Sequence, residues 1–555
     1  MEPLPPVAKY VSERFSNMET SASNMVAIWR DVAAFCAPSQ NNIQCICSPT
    51  TDGISGNLYD DEAIQAGNTF AAGSMAYMFP ISEVWFGFTA PYQLKREETV
   101  SRWYAECAEI LRYELAASNF YSEIHDNLRC LAWAGTTAIY LGTTKKGRLY
   151  FENWSPGKFY IAEDDFHDVD TVARKISLSN HQAMLRFGAD NLSEKVKAEL
   201  DSGDPKKLDT EHDYVHLIYP RPANQRGESP SGLTAPRDKP VASVYLEWDS
   251  KHVCMNGGYE EMPVICSRLD KMDGTIYGRS LAMDILPTIR SSNTQQGLLE
   301  AMAEKASFPP ILAPDSMDGQ LDLTPGGITL FDSNNPQAQP HEWANTGRYD
   351  IGKDRAEETR ERIRKAFFND IFQVFMDTTK RMATYEAMQL AAEKFALAHP
   401  MFSRFNTSTT KPLLERAFAL CLRNGRFPPP PEELLIVSGQ IPSLDLNPNI
   451  LFQSRAALAL QQMANRNMDA FLDKVMYLSQ VNQSVLDNID FDKALTEYGE
   501  NLNVTPSILV SGRDVAAIRQ QRQQQQEMQQ TLAAAQSAAS TAKDAKAAGI
   551  NLTQQ

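Results

Sequence analysis

The first quarter of the chain repeats its apolar residues with the period of an α-helix. Apolar side chains recur three and four residues apart, which places them on one face of a helix. This period predicts helices over residues 7–37, 60–79, 97–118 and 120–134. Pro38 and Pro80 end the first two, because proline has no amide hydrogen to donate to a continuing helix.

Beyond residue 135 the pattern changes to the two-residue alternation of β-strands. Short runs of β-branched and aromatic residues are bounded by turn pairs such as Lys146-Gly147 and Pro156-Gly157. The strands predicted in this region are 136–142, 147–152, 158–162, 169–178, 213–220 and 241–248. One further short strand is predicted earlier in the chain, at 83–88. A helical stretch at 179–201 and a Pro/Gly/Arg-rich loop at 220–240 separate the later strands. The pattern as a whole predicts a mainly helical α+β fold.

Two long helical segments follow, over residues 278–307 and 349–375. At 1.5 Å per residue, the first would be a rod of roughly 40 Å. Between them, residues 308–346 carry many Pro, Gly, Asp and Asn residues and predict a small module of strands and loops. The chain therefore predicts two rods that flank a compact insertion.

The start of the second rod is densely charged. Glu357, Arg360, Glu361 and Arg364 lie three or four residues apart, so opposite charges meet along the helix. Two interpretations remain open. In one, the charges form ordinary ion pairs on a solvated face of the helix; in the other, they join the helix to neighbouring copies of itself.

The C-terminal region returns to helical patterning after a break at 376–383. Helices are predicted at 384–423, with a break possible at Pro400, and again from 449 to 480. The tail at 513–548 is rich in Gln and Ala, which favour helix but supply few apolar side chains for a core. It is expected either to pack against copies of itself or to fray.

Composition narrows the class of protein. The 555 residues carry 53 Lys+Arg against 69 Asp+Glu, a formal charge of −16, whereas tight binding of nucleic acid uses a basic surplus. No apolar run is long enough to predict a membrane span, and we expect no secretion signal at the N-terminus. Eight cysteines without paired C-x-x-C spacing predict free thiols, not a zinc site.

The sequence matches motifs for catalysis, nucleotide binding or metal binding only weakly. Residues 347–354 fit the phosphate-binding pattern G-x-x-x-x-G-K, but Asp354 occupies the Ser/Thr position and no strand precedes the motif. His212 and His216 lie in a predicted strand and are expected to be ordinary strand histidines. The acidic runs Asp60-Asp61-Glu62 and Asp164-Asp165 are expected to be solvated turns. We therefore expect no enzymatic activity, no cofactor and no metal.

Several short sequence segments, taken in their order along the chain, resemble segments of one protein family. They are Val84-Trp85-Phe86 after Pro80, Gly135-Thr136-Thr137-Ala138, residues 159–164, Ile276-Tyr277-Gly278-Arg279-Ser280, Pro309-Pro310, residues 363–368, residues 381–384 and Asn503-Val504-Thr505-Pro506. The ordered set resembles the portal, or head-to-tail connector, proteins of short-tailed bacteriophages (podoviruses). The likeness spans about residues 5–525.

The resemblance implies a portal-type fold with a wing, a long-helix stem, a β/loop clip and a helical crown or barrel. Its expected divisions are a wing over 1–277, stem helices over 278–307 and 347–375, a clip over 308–346, a channel loop over 376–383, wing and crown helices over 384–505, and a barrel helix and tail over 506–555. About twelve copies would form a ring in the virion, at one capsid vertex, after assembly in the host cytoplasm.

The resemblance also implies partners. These are the terminase large subunit, a tail adaptor, scaffold and major capsid protein, and double-stranded DNA that passes through the channel without sequence-specific contacts. No membrane is involved.

Candidate residues follow from these divisions. Lys380 and Arg381 would contact DNA in the channel, and Glu357, Arg360, Glu361 and Arg364 would join stems of adjacent copies. Clip candidates that would face the terminase or adaptor are Asp315, Asp318, Asp322 and Asp332.

Two other classes of function compete with a conduit. One is a helical scaffold or adaptor that forms no ring and binds partners through its C-terminal helix. The other is a nucleotide-dependent enzyme that uses the Gly347–Lys353 motif.

Overall fold

The structure is a computed structural model of the 555-residue chain. It describes residues 6–40, 58–91, 94, 97–222, 226, 235–271, 274–307, 311–312, 341–342, 349–373, 400–434, 448–452, 473–475, 477–478, 515 and 518–532. Helix accounts for 58% of these residues, which confirms the mixed, mainly helical composition.

The elements alternate between helical and strand regions along the chain. The helices are α1 (Pro6–Cys36), α2 (Glu62–Met78), α3 (Glu98–Ala116), α4 (Phe120–Ala134), α5 (Asn180–Phe187), α6 (Glu194–Asp201), α7 (Pro205–Leu208), α8 (Leu281–Asp284), α9 (Leu286–Ser307), α10 (Tyr349–Ala366), α11 (Asn369–Gln373) and α12 (Lys411–Arg423). The strands are β1 (Phe86–Thr89), β2 (Thr136–Thr143), β3 (Leu149–Trp154), β4 (Phe159–Glu163), β5 (Val169–Ser179), β6 (Glu211–Pro220), β7 (Val241–Glu247), β8 (Val253–Tyr259), β9 (Val264–Arg268), β10 (Asp270–Lys271), β11 (Gly278–Arg279), β12 (Ile311–Leu312), β13 (His341–Glu342) and β14 (Asn449–Phe452).

The chain forms two compact units. The larger comprises Met1–Trp85 and Ile110–Phe427, and the smaller comprises Phe86–Glu109 and Pro428–Gln555. In the smaller unit β1 pairs antiparallel with β14, so the helix predicted from residue 449 begins instead as a strand. Periodicity alone missed this strand because its partner lies about 360 residues earlier in the chain.

The larger unit is built on a five-stranded antiparallel sheet in the order β4-β5-β6-β7-β8. Helix α1 packs on one face, where the buried Phe15 ring meets Tyr160 and Trp248 at centroid distances of 5.5 and 5.2 Å. Because α1 carries an apolar residue at every turn on this side, it covers most of that face.

Helices α5 and α6 cover the opposite face, with Phe187 and Val196 packed on Tyr214 and Tyr245. One continuous helical stretch was predicted here, but Gly188 adopts a φ of 83° and separates the two helices. Such a conformation suits glycine because it has no Cβ to collide with the backbone.

His212 and His216 lie on this covered face of β6, as strand histidines, and the prediction for them is confirmed. The Nε2 atom of His212 is 2.8 Å from Glu199, and that of His216 is 2.9 Å from the Ser243 hydroxyl. Burial, together with the charges of Arg174 and Arg186, holds the pKa of His216 well below its usual range.

A second sheet, β3-β2-β9, lies beside α4. Its outer strand β3 is capped by a side chain: the Asn119 amide donates to the Phe151 carbonyl (2.7 Å) and accepts from the Phe151 amide (3.0 Å). Asn119 thus occupies part of an otherwise open strand edge. Strands β8 and β9 were not predicted. Within β8, Asn256-Gly257-Gly258 has the composition of a turn.

Within the described part of the chain, no helix combines the length and apolar character needed to cross a membrane.

Candidate functional site: the paired long helices and their anchor

The two longest helices that the structure describes beyond residue 278, α9 and α10, pack side by side. A Cβ added at Gly352 of α10 would lie 2.9 Å from the end of the Leu299 side chain of α9, so glycine at this position lets the two helices approach closely with Leu299 in its present place. Thr359 and Arg360 then donate hydrogen bonds to Gln295 and Gln296 across the pair, at 3.4 and 3.0 Å.

The packing of α10 against α9 accounts for Gly352, the second glycine of the phosphate-binding pattern noted in the sequence. Gly352 and Lys353 lie inside α10, where their backbone amides belong to the helix. They do not form the loop between a strand and a helix that cradles a phosphate. Gly352 therefore serves helix packing.

Both rods are shorter than the sequence predicted. Residues 278–279 form strand β11, and the first helix is interrupted at Ile285 before α9 begins. The second rod stops at Ala366, because Phe368 adopts a φ of 57° and α11 starts in a new direction. Phe367 is fully buried, and the Phe372 ring fits where Gly73 has no side chain.

A buried carboxylate anchors the helix pair to the start of α2. Asp60 has only 4% of its side chain exposed and accepts hydrogen bonds from the Ser292 hydroxyl and, at 3.3 Å, from Arg360. The Asn293 side-chain oxygen accepts from the backbone amides of Tyr59 and Asp60, at 2.7 and 3.1 Å. Residues 59–60 are thus bonded to α9 and α10 together.

A second ion pair continues the anchor along α10. Arg364 donates to both carboxylate oxygens of Glu62, at 2.8 and 3.0 Å, and to Glu357 at 3.0 Å. The planar guanidinium suits such two-point contacts. The hydrogen bond to Glu62 raises the pKa of Arg364 further, so this cation stays charged at any working pH. We call Asp60, Glu62, Ser292, Asn293, Arg360 and Arg364 the anchor cluster.

The beginning of the first rod is fixed by a close backbone contact. Gly135, at a φ of 72°, and Gly278 approach so closely that a Cβ on Gly278 would lie 2.5 Å from the Gly135 carbonyl oxygen. Ser280 donates to the Trp133 carbonyl (2.7 Å) and caps α8 by accepting from the Met283 amide (3.0 Å). Two of the segments on which the family resemblance rests, residues 135–138 and 276–280, therefore contact each other here.

The sequence-predicted residues fall into two groups. Glu357, Arg360, Glu361 and Arg364 all lie on α10, and both arginines pair within the same chain. Glu361 and Glu357 are mostly exposed, and Glu361 lies 3.8 Å from Lys365. The remaining candidates, Lys380, Arg381, Asp315, Asp318, Asp322 and Asp332, lie outside the described residues.

The sequence analysis missed the acidic half of the anchor cluster. Asp60-Asp61-Glu62 was expected to be a solvated turn, which is wrong for Asp60 because it is buried against α9 and α10. One feature of the sequence could have indicated a structural role for these acidic residues. Asp60 and Asp61 directly precede an apolar helix, and acidic residues there complement the helix dipole.

Both flanks of the helix pair are grooved and charged. A groove of about 230 Å³ contains Glu300, Lys353 and Glu357 on one side. A wider one of about 660 Å³ on the other side contains Arg355, Glu358 and Arg362. The pair thus presents charged surfaces in two directions while its inner contacts stay fixed.

Comparison with known proteins identifies the family to which this chain belongs. The chain belongs to the family described as bacteriophage head to tail connecting protein, whose model matches residues 8–509. It is 26% identical to the probable portal protein of Bordetella phage BPP-1 over 525 residues, covering 93% of this chain and 91% of that protein. It is 24% identical to the portal protein of Salmonella phage epsilon15 over 518 residues, covering 92% and 90%.

These matches confirm the resemblance to portal proteins of short-tailed phages. A chain from the virion of a native gene transfer agent particle has a TM-score of 0.32 and 10% identity, covering 74% of this chain and 86% of its own. That likeness is too low to support an argument.

Asp60→Asn tests the anchor cluster. The substitution keeps the shape of the side chain but leaves Arg360 without its buried counter-charge. Breaking a buried pair costs about 3–5 kcal/mol, and Arg360 is a quarter exposed, so we expect a loss of about 2–3 kcal/mol. The measurement is the urea midpoint of the purified chain.

Glu358→Gln is the matched control, because it also converts a carboxylate to an amide on α10. The Glu358–Arg362 pair is exposed on both sides, so its loss should change stability by less than about 0.5 kcal/mol. Equal effects of the two substitutions would show that the anchor cluster does not hold the helix pair.

Proposed function

We propose that this protein is a phage portal: a ring of about twelve copies around a central channel at one vertex of the capsid. The observation that carries the proposal is the family match over residues 8–509, together with two relatives named portal protein that it matches over nine-tenths of their lengths. The protein acts as a structural conduit and not as an enzyme.

The conduit has two uses. A terminase motor drives double-stranded DNA into the head through the channel, and the same channel releases DNA through a tail adaptor. Residues 308–346 form the clip that faces terminase and adaptor, with Asp315, Asp318, Asp322 and Asp332 as candidate contacts. Scaffold and major capsid protein surround the ring in the virion.

The charge of the chain suits a channel through which DNA must slide. Each Lys or Arg that neutralises a phosphate adds salt-dependent affinity and would slow translocation. A ring of chains that each carry a formal charge of −16 binds phosphate weakly overall. Brief contacts at one loop, through Lys380 and Arg381, would guide DNA without holding it.

The helix pair supplies the stem. Its inner side is held by the anchor cluster, and its flanks carry exposed charges that adjacent copies can match. Head-to-tail contacts of this kind close into a ring by rotation. Glu357 and Glu361 are the more available of the four candidates, because more than half of each side chain is exposed, whereas Arg360 and Arg364 are largely covered where they bind Asp60 and Glu62.

The assembly state of the purified protein tests this proposal. We expect light scattering to give a mass of about twelve times 62.0 kDa, and negative-stain electron microscopy to give rings with a central hole. Scaffold protein is added in a parallel sample in case nucleation requires it. A protein that stays monomeric in both samples would contradict the portal role and favour a helical adaptor.

Replacing Lys380 and Arg381 together by alanine tests the channel contact. Ring formation should be unchanged, whereas the amount of DNA packaged or retained per head should fall, measured by nuclease protection in an in vitro packaging reaction. Lys145→Ala with Lys146→Ala is the control, since these exposed cations lie in the β2–β3 turn. Normal packaging by the first variant, or equal loss in both, would refute the contact.

A further inference from the structure

A single aromatic side chain projects from the tip of the β4–β5 hairpin. Phe166 is 85% exposed, the highest value for a large apolar residue in the described part of the chain. Isolated apolar residues on a surface are common and by themselves mean little. Here, however, the backbone that carries the ring is held rigidly.

The tip is fixed by its own hydrogen bonds. One oxygen of Asp164 accepts from the backbone amides of Phe166 and Asp168, both at 2.9 Å. His167 adopts a φ of 66°, and its carbonyl accepts from Arg268 of β9 at 3.0 Å. An aromatic ring presented on a rigid support loses little entropy on binding, which is typical of interface anchors.

The surroundings of Phe166 are acidic. Asp164, Asp165 and Asp168 lie within two residues of it, and Asp165 is exposed. Glu163 is already neutralised by Arg268 and Lys271. We call Phe166 with these three aspartates the acidic knob; the surface it fits should be apolar and basic.

A surface with that character lies across the same sheet. Arg186 of α5 is exposed, donates to the Tyr245 hydroxyl at 2.6 Å and lies over that ring at 4.8 Å. Among the described residues, Arg186 forms no ion pair with a carboxylate. Met255, 44% exposed, is the cross-strand partner of Tyr245, and Leu185 is 69% exposed. Leu185, Arg186 and Met255 form what we call the Arg186 patch.

The knob and the patch cannot meet within one copy. The knob extends from the edge pair β4–β5, while Met255 lies on the opposite edge strand β8. Four strand intervals of about 4.8 Å place these edges about 19 Å apart. In a head-to-tail ring, opposite sides of successive copies face each other.

We propose that the acidic knob of each copy docks on the Arg186 patch of its neighbour in the ring, with Phe166 against Met255 and Leu185 and the aspartates around Arg186. The occupant is a second copy of this chain, because the two surfaces are complementary in charge and apolar character, and Met255 of the patch lies on the edge strand opposite the knob. This inference rests on the proposed ring.

Photo-crosslinking tests the contact directly. Phe166 is replaced by p-benzoylphenylalanine, and rings are confirmed by electron microscopy before irradiation. We expect crosslinked dimers and higher species on a denaturing gel, with the crosslinked peptide mapping to residues 185–186 or 253–259. Rings that give no crosslinks between copies, or crosslinks that map elsewhere, would overturn the inference and leave the proposed function standing. A failure of the unsubstituted protein to form rings would contradict the proposed function, and the inference with it.

A charge exchange supplies the second readout. Asp165→Arg and Arg186→Glu should each raise the concentration at which half the rings dissociate by about tenfold or more. The double variant should recover most of that loss, since it restores opposite charges with their positions exchanged. Monomer unfolding midpoints serve as the folding control. Single variants with unchanged ring dissociation, or a double variant no better than either single one, would contradict the contact.

Discussion

A carboxylate withdrawn from water must find counter-charge and hydrogen bonds, and Asp60 finds both on the long helices. Ser292 and Arg360 bind its side chain, while Asn293 binds the backbone beside it. Because these partners come from both α9 and α10, one buried charge fixes the two helices relative to each other and to α2. Gly352 of α10 and Leu299 of α9 are in close contact in that arrangement.

This anchoring gives the proposed stem its mechanical character. A rod that conducts DNA has to keep its shape while a motor acts at one end and DNA moves past it. The Gly135–Gly278 contact fixes the start of the first rod, the anchor cluster holds α9 at Ser292 and Asn293, and the turn at Phe368 sets where the second rod stops. The exposed charged side chains on the two flanks of the helix pair can then contact adjacent copies.

Sequence reasoning found most of the elements but few of the contacts. The helical periods of α1 to α4 and the alternation of β2 to β7 predicted those elements within a few residues. It missed β9 and β14, whose partners β2 and β1 lie far away in the chain, and the breaks at Gly188 and Phe368, which depend on local backbone conformation. Asp60 was misjudged because burial of an acid is decided by helices more than two hundred residues away.

The most direct test of the account is a cryo-electron microscopy map of the purified ring, at a resolution that shows side chains on α9 and α10. We expect the α9–α10 pairs to line a central channel side by side, with Asp60 and Arg360 in contact within each copy. A ring whose channel is lined by other elements, or in which α9 and α10 of one copy separate, would contradict it.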